Sequence, residues 1–146
     1  MKDSAPIQIS IEANGTVLSA VTHLPQGLPA PVVICSHGLL SAKESPKFIA
    51  VCEALSRAGF CAVRFDFSGC GQSPRRSGLG LIDARRRDLA AVIAFSQQWS
   101  NGRVGLFGSS LGGFLSLLAA NERPEFIRAV VSWAAPYDMG LKNPEP

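Results

Sequence analysis

Apolar and polar positions alternate near the start of the chain, whereas the rest of the chain contains several continuous apolar runs. Residues 7–13 alternate and lead into Asn14-Gly15, a dipeptide that favours a tight hairpin turn. Residues 16–24 continue beyond this turn as a second strand. The pattern predicts an antiparallel hairpin with one exposed face.

The later apolar runs have the composition of strands that are covered on both faces. These runs are residues 31–38, 61–67, 104–108 and 127–135. Helices are predicted between them, over residues 46–58, 82–98 and 111–121, because their apolar residues recur on one face. The order β-β-β-α-β-α-β-α-β predicts one α/β domain over residues 1–146, with a mostly parallel sheet, helices on both faces and the antiparallel hairpin at the N-terminus. The proline-rich tail from residue 136 is predicted to be a loop.

Composition narrows the classes of function. With 47% hydrophobic residues and a mean hydropathy of +0.19, the chain can bury a core and is not a disordered segment. The net charge of +3 is mild, and no nucleic-acid-binding module accompanies the basic residues, so no nucleic-acid partner is expected. The basic run Arg85–Arg87 is interpreted as a solvated helix face, with Asp83 placed to pair with Arg86 or Arg87.

The cysteines and the apolar runs bear on location. Cys35 and Cys61 fall in strand-like apolar runs, where a free thiol acts as a small apolar side chain, and no CxxC spacing is present. The N-terminus has no apolar signal core, and no run reaches the roughly 18 apolar residues of a membrane span. No membrane span is expected, and the reducing cytoplasm is the predicted compartment.

The segment GLFGSSLGGF, residues 105–114, contains two candidate nucleophiles. A serine at a sharp strand-to-helix turn needs small residues two positions before and after it. Ser109 has phenylalanine and leucine there, whereas Ser110 has Gly108 and Gly112. Ser110 is therefore the predicted nucleophile, in a G-x-S-x-G pattern between an apolar strand and an apolar helix.

Two backbone amides are candidates for an oxyanion hole. The N–H of Leu111 lies at the start of the predicted helix, where amides have no helical acceptor. The turn His37-Gly38 ends the first apolar run and presents the N–H of Leu39 as the second donor. Both donors lie beside Ser110 only if their strands are neighbours.

A third turn, residues 66–73, contains two glycines after Asp66, which is a candidate for orienting loop amides. A phosphate-binding loop is the rival interpretation. The turn has neither G-x-G-x-x-G spacing nor the lysine-serine/threonine pair of a P-loop, so a nucleotide site is not favoured.

These motifs resemble the α/β-hydrolase superfamily, within it the branch of esterases, lysophospholipases and serine-aminopeptidase-like enzymes. The resemblance rests on HGLL, RFDFSGCGQS and GLFGSSLGG, which occur in the family's order. It implies Ser110 as nucleophile, Leu39 and Leu111 as oxyanion donors, a structural role for His37, and no metal or organic cofactor. Ser68 stands where the family often has arginine, which is expected to loosen that loop.

The triad of this fold follows the order serine, acid, histidine. The chain has only His23 and His37, and both precede Ser110, so no candidate general base follows the serine. Asp138 lies where some relatives place the acid but is interpreted as a loop aspartate. Residues 127–135 are too apolar for a strand at a solvent-exposed edge of the sheet, because such an edge promotes aggregation. We therefore expect the N-terminal half to two-thirds of an α/β-hydrolase, truncated after the sixth strand, whose exposed sheet edge is a candidate surface for self-association.

The sequence thus predicts a serine hydrolase that acts on small-molecule carboxylic esters or related acyl substrates, with little turnover by this chain alone. One alternative is a non-catalytic remnant, or a module that a partner chain completes. Another is an acyltransferase or thioesterase on the same fold. The substrate itself is not predicted, because late loops build the pockets of this superfamily.

Overall fold

The computed structural model describes residues 5–140. Its strands are β1 (Ile7–Glu12), β2 (Val17–His23), β3 (Ala30–Ser36), β4 (Cys61–Phe65), β5 (Ser100–Ser109) and β6 (Ile127–Trp133). Its helices are α1 (Pro46–Arg57), α2 (Leu81–Ser96) and α3 (Leu111–Glu122), and a short 3-10 turn, Gln97–Trp99, follows α2. Part of the predicted C-terminal loop, residues 141–146, lies outside the described residues.

The described strands form one sheet in the order β1-β2-β4-β3-β5-β6. β1 and β2 pair antiparallel, as do β2 and β4, and the remaining pairs are parallel. This arrangement confirms the predicted fold class. It also makes β3 and β5 neighbours, so the residues that follow these strands meet at one edge of the sheet.

The N-terminal hairpin turns where the sequence indicates. Asn14 and Gly15 both have positive φ, 52° and 87°, which matches the turn geometry preferred by twisted two-stranded ribbons. β1 is largely exposed, whereas most of β2 is buried because it pairs with both β1 and β4.

The sheet is covered on both faces, as predicted. The larger core lies between the sheet and helices α2 and α3, and it includes Ile34, Leu89 and Leu115. The smaller core packs α1 against the other face through Phe48 and Cys52. Successive residues of β3 enter opposite cores, which explains why this strand is a continuous apolar run.

The cysteines in the apolar runs are buried free thiols, as expected. Cys35 and Cys61 lie on neighbouring strands and are almost completely excluded from solvent. Burial raises the pKa of the Cys61 thiol, so this side chain remains protonated and packs as a small apolar group.

β6 differs from the other parallel strands, because it forms the edge of the sheet and most of its residues are exposed. Val131 and Trp133 each retain 57% of their accessible surface. The prediction that this run is a strand covered on both faces is therefore wrong for residues 5–140, where β6 is an exposed apolar edge with no strand paired to its outer side. None of the helices within residues 5–140 is both long and apolar enough to cross a membrane.

Candidate active site

Ser110 lies at a sharp turn between β5 and α3. Its φ of 54° and ψ of −125° are strained for a residue with a side chain, and its N–H donates to the carbonyl of Trp133 at 2.8 Å. A Cβ atom on Gly108 would lie 2.3 Å from the Gly112 carbonyl oxygen. A Cβ atom on Gly112 would lie 2.1 Å from the Ser36 carbonyl oxygen. Both positions therefore require glycine, because the backbone passes too close for a side chain. Gly108 lies against the other end of the turn, whereas Gly112 lies against the end of β3.

The two serines of the turn have different surroundings. Ser109 is 8% exposed, and its hydroxyl accepts a hydrogen bond from Lys47 Nζ at 2.6 Å. Lys47 Nζ in turn lies 5.1 Å from the centre of the Trp133 ring. Ser110 is exposed, and its hydroxyl makes no hydrogen bond within residues 5–140. The accessible hydroxyl is thus the one that the glycine spacing indicates.

The predicted oxyanion donors lie on either side of this serine. Leu111 is the first residue of α3. Gly38, whose carbonyl shares a peptide group with the N–H of Leu39, lies against the serine: a Cβ on Gly38 would be 3.3 Å from Ser110 Cβ. Over the described part of the chain, neither the Leu39 nor the Leu111 N–H donates a hydrogen bond. The turn that contains Leu39 and the start of α3 at Leu111 thus both lie next to Ser110.

His37 is buried beneath this turn, with both ring nitrogens engaged. Its Nε2 accepts a hydrogen bond from the N–H of Phe67 at 3.1 Å, so the ring proton resides on Nδ1, which donates to the Gly38 carbonyl at 2.7 Å. Burial is the main cause that lowers the pKa of His37 to about 4, and the positive charges of Arg85 and Lys43 add to it. The imidazole is neutral and has no nitrogen free to contact Ser110.

Asp66 is the centre of the glycine-rich loop after β4. Its buried carboxylate accepts hydrogen bonds from the backbone N–H of Lys43 at 2.7 Å, from Lys43 Nζ at 2.8 Å and from the N–H of Gln72 at 2.9 Å. A Cβ on Gly71 would lie 2.3 Å from this carboxylate, so a larger residue there would displace it. The expectation that Asp66 orients loop amides is confirmed.

The expectation for Ser68 is wrong. The N–H and the hydroxyl of Ser68 both donate to Asp88 Oδ2, at 2.8 and 2.7 Å. Asp88 is fully buried on α2, and its other carboxylate oxygen accepts from Arg76 at 2.8 Å. The serine therefore ties the loop to α2 instead of loosening it.

The interpretation of Arg85–Arg87 as a solvated helix face is also wrong for its first residue. Arg86 is exposed and pairs with Asp83 at 3.4 Å, as expected, but Arg85 is only 2% exposed. Arg85 lies three residues after Ile82 and four before Leu89, on the apolar face of α2. This spacing in the sequence indicates that Arg85 faces the core, whereas its charge alone predicts a solvent-exposed side chain.

His23 lies far from Ser110. It pairs with Ala62 and, through the register of β4, β3 and β5, stands level with Gly105. Five strand residues separate that level from the serine, a distance of roughly 16 Å. Its Nε2 accepts a hydrogen bond from Arg64 Nε at 3.0 Å, and burial followed by the charge of Arg64 lowers its pKa.

Asp138 is an exposed loop residue. Its Oδ1 accepts a hydrogen bond from the N–H of Gly140 at 2.7 Å, which is a local turn contact. Over residues 5–140, no group of three or more histidine, cysteine or acidic side chains is arranged to hold a metal ion.

Comparisons with known proteins point in one direction. The sequence model of a family described as the alpha/beta hydrolase fold matches residues 31–145. The human protein named palmitoyl-protein thioesterase ABHD10, mitochondrial, is 35% identical over 109 residues, which cover 75% of this chain and 35% of that protein. The chain thus spans about a third of the length of these curated relatives.

Solved structures share the same fold. The mouse alpha/beta hydrolase domain-containing protein 10 is 29% identical with a TM-score of 0.69, over 88% of this chain and 49% of that one. The dienelactone hydrolase of Anabaena variabilis is 26% identical with a TM-score of 0.77, over 92% of this chain and 65% of that one. The fold of the described residues therefore occurs in other solved structures.

Proposed function

Because the chain belongs to the α/β-hydrolase superfamily, we propose that it carries the nucleophile and oxyanion hole of a serine hydrolase acting on carboxylic esters or related acyl compounds. The carrying observation is the exposed hydroxyl of Ser110, held at φ 54° between a strand and a helix. A strained, exposed serine in this setting is typical of a nucleophile that must reach a substrate carbonyl.

In the proposed reaction, Ser110 Oγ attacks the acyl carbonyl and its proton passes to a general base. The carbonyl oxygen becomes an oxyanion that accepts hydrogen bonds from the N–H groups of Leu39 and Leu111. Each such donor lowers the barrier by about 3 kcal/mol. Collapse of this intermediate breaks the bond to the leaving oxygen, which takes the proton from the base and departs as an alcohol, and leaves an acyl-serine ester that water then hydrolyses. Gly108, Gly112 and the His37-Gly38 turn have structural roles that hold these atoms together.

The general base is the missing element. Both histidines of the sequence are buried, and neither contacts Ser110. Without a base, a serine hydroxyl is a weak nucleophile. We therefore propose that the 146-residue chain alone has little or no turnover, and that an acid and a histidine from outside these residues complete the triad.

Two other functions remain candidates on specific observations. A thioesterase differs only in the atom that leaves, and the human relative is named a palmitoyl-protein thioesterase. A module completed by a partner chain, or by a second copy, is favoured by the open apolar edge of β6. A non-catalytic remnant is distinguished from both by the coding DNA beyond Pro146, which would contain no in-frame or frameshifted aspartate and histidine after further strands.

The four cysteines are free thiols, which favours a reducing compartment, and we propose the cytoplasm as the location.

The experiment is hydrolysis of a short-chain aryl ester and of its thioester analogue by the 146-residue chain and by the product of any longer reading frame. Ser110→Ala is expected to abolish whatever serine-dependent hydrolysis is measured, and Ser109→Ala is the matched control that retains it. Robust turnover by the 146-residue chain that Ser110→Ala removes would contradict the absence of a base. Turnover that survives Ser110→Ala would contradict the assignment of the nucleophile.

A further inference from the structure

A buried arginine on α2 faces the loop that carries one of the proposed oxyanion donors. Arg85 Nη1 donates to the carbonyl of Gly38 at 3.3 Å, and Nη2 donates to the carbonyl of Leu39 at 3.1 Å. The guanidinium also lies 4.9 Å from the centre of the Phe67 ring. Its contacts thus converge on the turn after β3, 46 and 47 residues away in sequence.

The geometry of the peptide group gives these contacts a consequence. In a trans peptide the C=O of one residue and the N–H of the next point in opposite directions within one plane. The carbonyl of Gly38 therefore fixes the direction of the Leu39 N–H. Two donors, His37 Nδ1 at 2.7 Å and Arg85 Nη1, hold that carbonyl towards the protein interior. The N–H of Leu39 is then directed away from the interior, and Ser110 lies against the same turn.

The loop has little else to hold it. The side chain of Leu39 is 47% exposed and that of Leu40 is 98% exposed, so apolar packing contributes little to the order of this turn. Polar contacts from beneath must supply it. His37 secures one carbonyl, whereas the planar guanidinium of Arg85 spans two successive carbonyls, which an ammonium cannot match with the same geometry.

The surroundings of Arg85 are unusual for a residue that only stabilises the core. Within residues 5–140 the guanidinium forms no ion pair, and Cys70 Sγ, 3.1 Å from Nη2, is its remaining hydrogen-bond partner. Burial lowers the pKa of Arg85, which shows the cost of removing this charge from water. An apolar side chain of similar length would fill the same space without that cost.

We propose that Arg85 is a positioning residue of the oxyanion hole, which orients the N–H of Leu39 by holding the carbonyls of Gly38 and Leu39. This inference rests on the proposed roles of Ser110 and Leu39. Arg85 touches no reacting atom, and its effect on the reaction passes entirely through the direction and order of one amide.

The direct test is the NMR order parameter of the Leu39 N–H in the 146-residue chain, because this measurement needs no catalysis. In the wild type we expect a value near 0.85, that of a rigid backbone, and in Arg85→Met a value below about 0.6. Arg86→Met removes the neighbouring exposed arginine and is expected to leave the value unchanged. Arg85→Lys retains the charge but reaches one carbonyl, and we expect an intermediate value.

Each outcome decides the inference. A flexible Leu39 amide in the wild type, or an unchanged value in Arg85→Met, would overturn it. If Arg85→Met does not fold, Arg85→Lys decides in its place, and a value equal to that of the wild type would overturn the inference. A loss of order spread over the whole chain, rather than confined to residues 38–40, would assign Arg85 to general stability instead.

Kinetics separate this inference from the proposed function. Where ester hydrolysis is measurable, Arg85→Met is expected to lower kcat by about 10- to 100-fold with little change in KM, less than deletion of a donor itself. Activity that survives Ser110→Ala would contradict the proposed function. Activity that Ser110→Ala abolishes and Arg85→Met leaves intact would contradict only the role of Arg85.

Discussion

The two sides of Ser110 are built differently. On one side, the loops after β3 and β4 are joined to each other and to α2 by buried polar contacts centred on Asp66, Asp88 and Arg85. On the other side, β6 and the residues after it are exposed and apolar, with Val131 and Trp133 each 57% accessible. The same serine thus lies between a rigidly supported region and an open one.

The two parts of the proposed reaction fall on different sides of this serine. The amide of Leu39, the proposed oxyanion donor, belongs to the supported side, where His37 and Arg85 hold the Gly38 carbonyl. The proposed general base is not supplied by either side within residues 5–140. The polar groups on the first side are buried and mostly hydrogen-bonded, although Arg76 Nε and Arg85 Nε have no partner within residues 5–140, whereas β6 leaves an apolar strand edge exposed.

The largest expected effect is on the supported side. Asp66→Ala removes the buried carboxylate 2.8 Å from the fully buried Lys43 ammonium and leaves it only the exposed carboxylate of Glu44, 3.6 Å away. Removing one partner of a buried ion pair costs about 3–5 kcal/mol of unfolding free energy. Urea unfolding measures this change. Asp83→Ala, which removes the exposed partner of Arg86, is the control and should cost less than about 0.5 kcal/mol. Equal losses in the two variants would contradict the comparison.

The supported side should also be sensitive to acid. The pKa of His37 is about 4 in the folded chain against 6.5 unfolded, mainly because of burial. A depressed histidine pKa means that the unfolded chain binds more protons between these values. The associated stability is therefore complete above pH 6.5 and falls as the pH drops towards 4, by about 3 kcal/mol. His23, whose pKa is also lowered by burial, adds to the loss in the same direction.

Unfolding curves at pH 7, 5.5 and 4.5 measure this dependence. His37→Asn removes the titrating ring at the supported side and should flatten the profile, whatever its effect on stability at pH 7. A profile with the same slope in both proteins would show that His37 is not the group responsible.

The smallest effect is expected at the open edge. Val131→Thr alters an exposed side chain of β6 and should change the unfolding free energy by no more than about 0.5 kcal/mol. Val32→Thr is the matched substitution on β3, where the side chain is 1% exposed, and burying its hydroxyl should cost about 1–3 kcal/mol. A comparable cost at Val131 would show that β6 is covered in solution. Sedimentation of both variants would then test self-association through this edge.

The features that the sequence predicts best are those whose backbone geometry depends on the residue itself and its neighbours in the sequence. Ser110 could be chosen over Ser109 because a Cβ atom on Gly108 or on Gly112 would lie only 2.3 or 2.1 Å, respectively, from a backbone carbonyl oxygen. The hairpin at Asn14 was equally predictable, because its positive φ is a property of the residue and its neighbour.

Contacts that join distant segments could not be predicted in the same way. Two of the acceptors of Arg85 are backbone carbonyls of a loop 46 and 47 residues away, which no sequence pattern reveals, so its charge predicts a solvent-exposed side chain. Ser68 was misjudged because its partner, Asp88, lies 20 residues away on α2. β5 begins at Ser100, four residues before the predicted start, because a register shift lets it pair with Ala30.

The most direct test of the account is the rate at which a fluorophosphonate labels the 146-residue chain, with and without added imidazole, and the residue that carries the label. Imidazole supplies the base that residues 5–140 do not bring to the serine. The account predicts slow labelling at Ser110 that imidazole accelerates several-fold and that Ser110→Ala abolishes. Rapid labelling that imidazole does not change, or a label on any other residue, would contradict the account that Ser110 is the nucleophile and lacks only a general base.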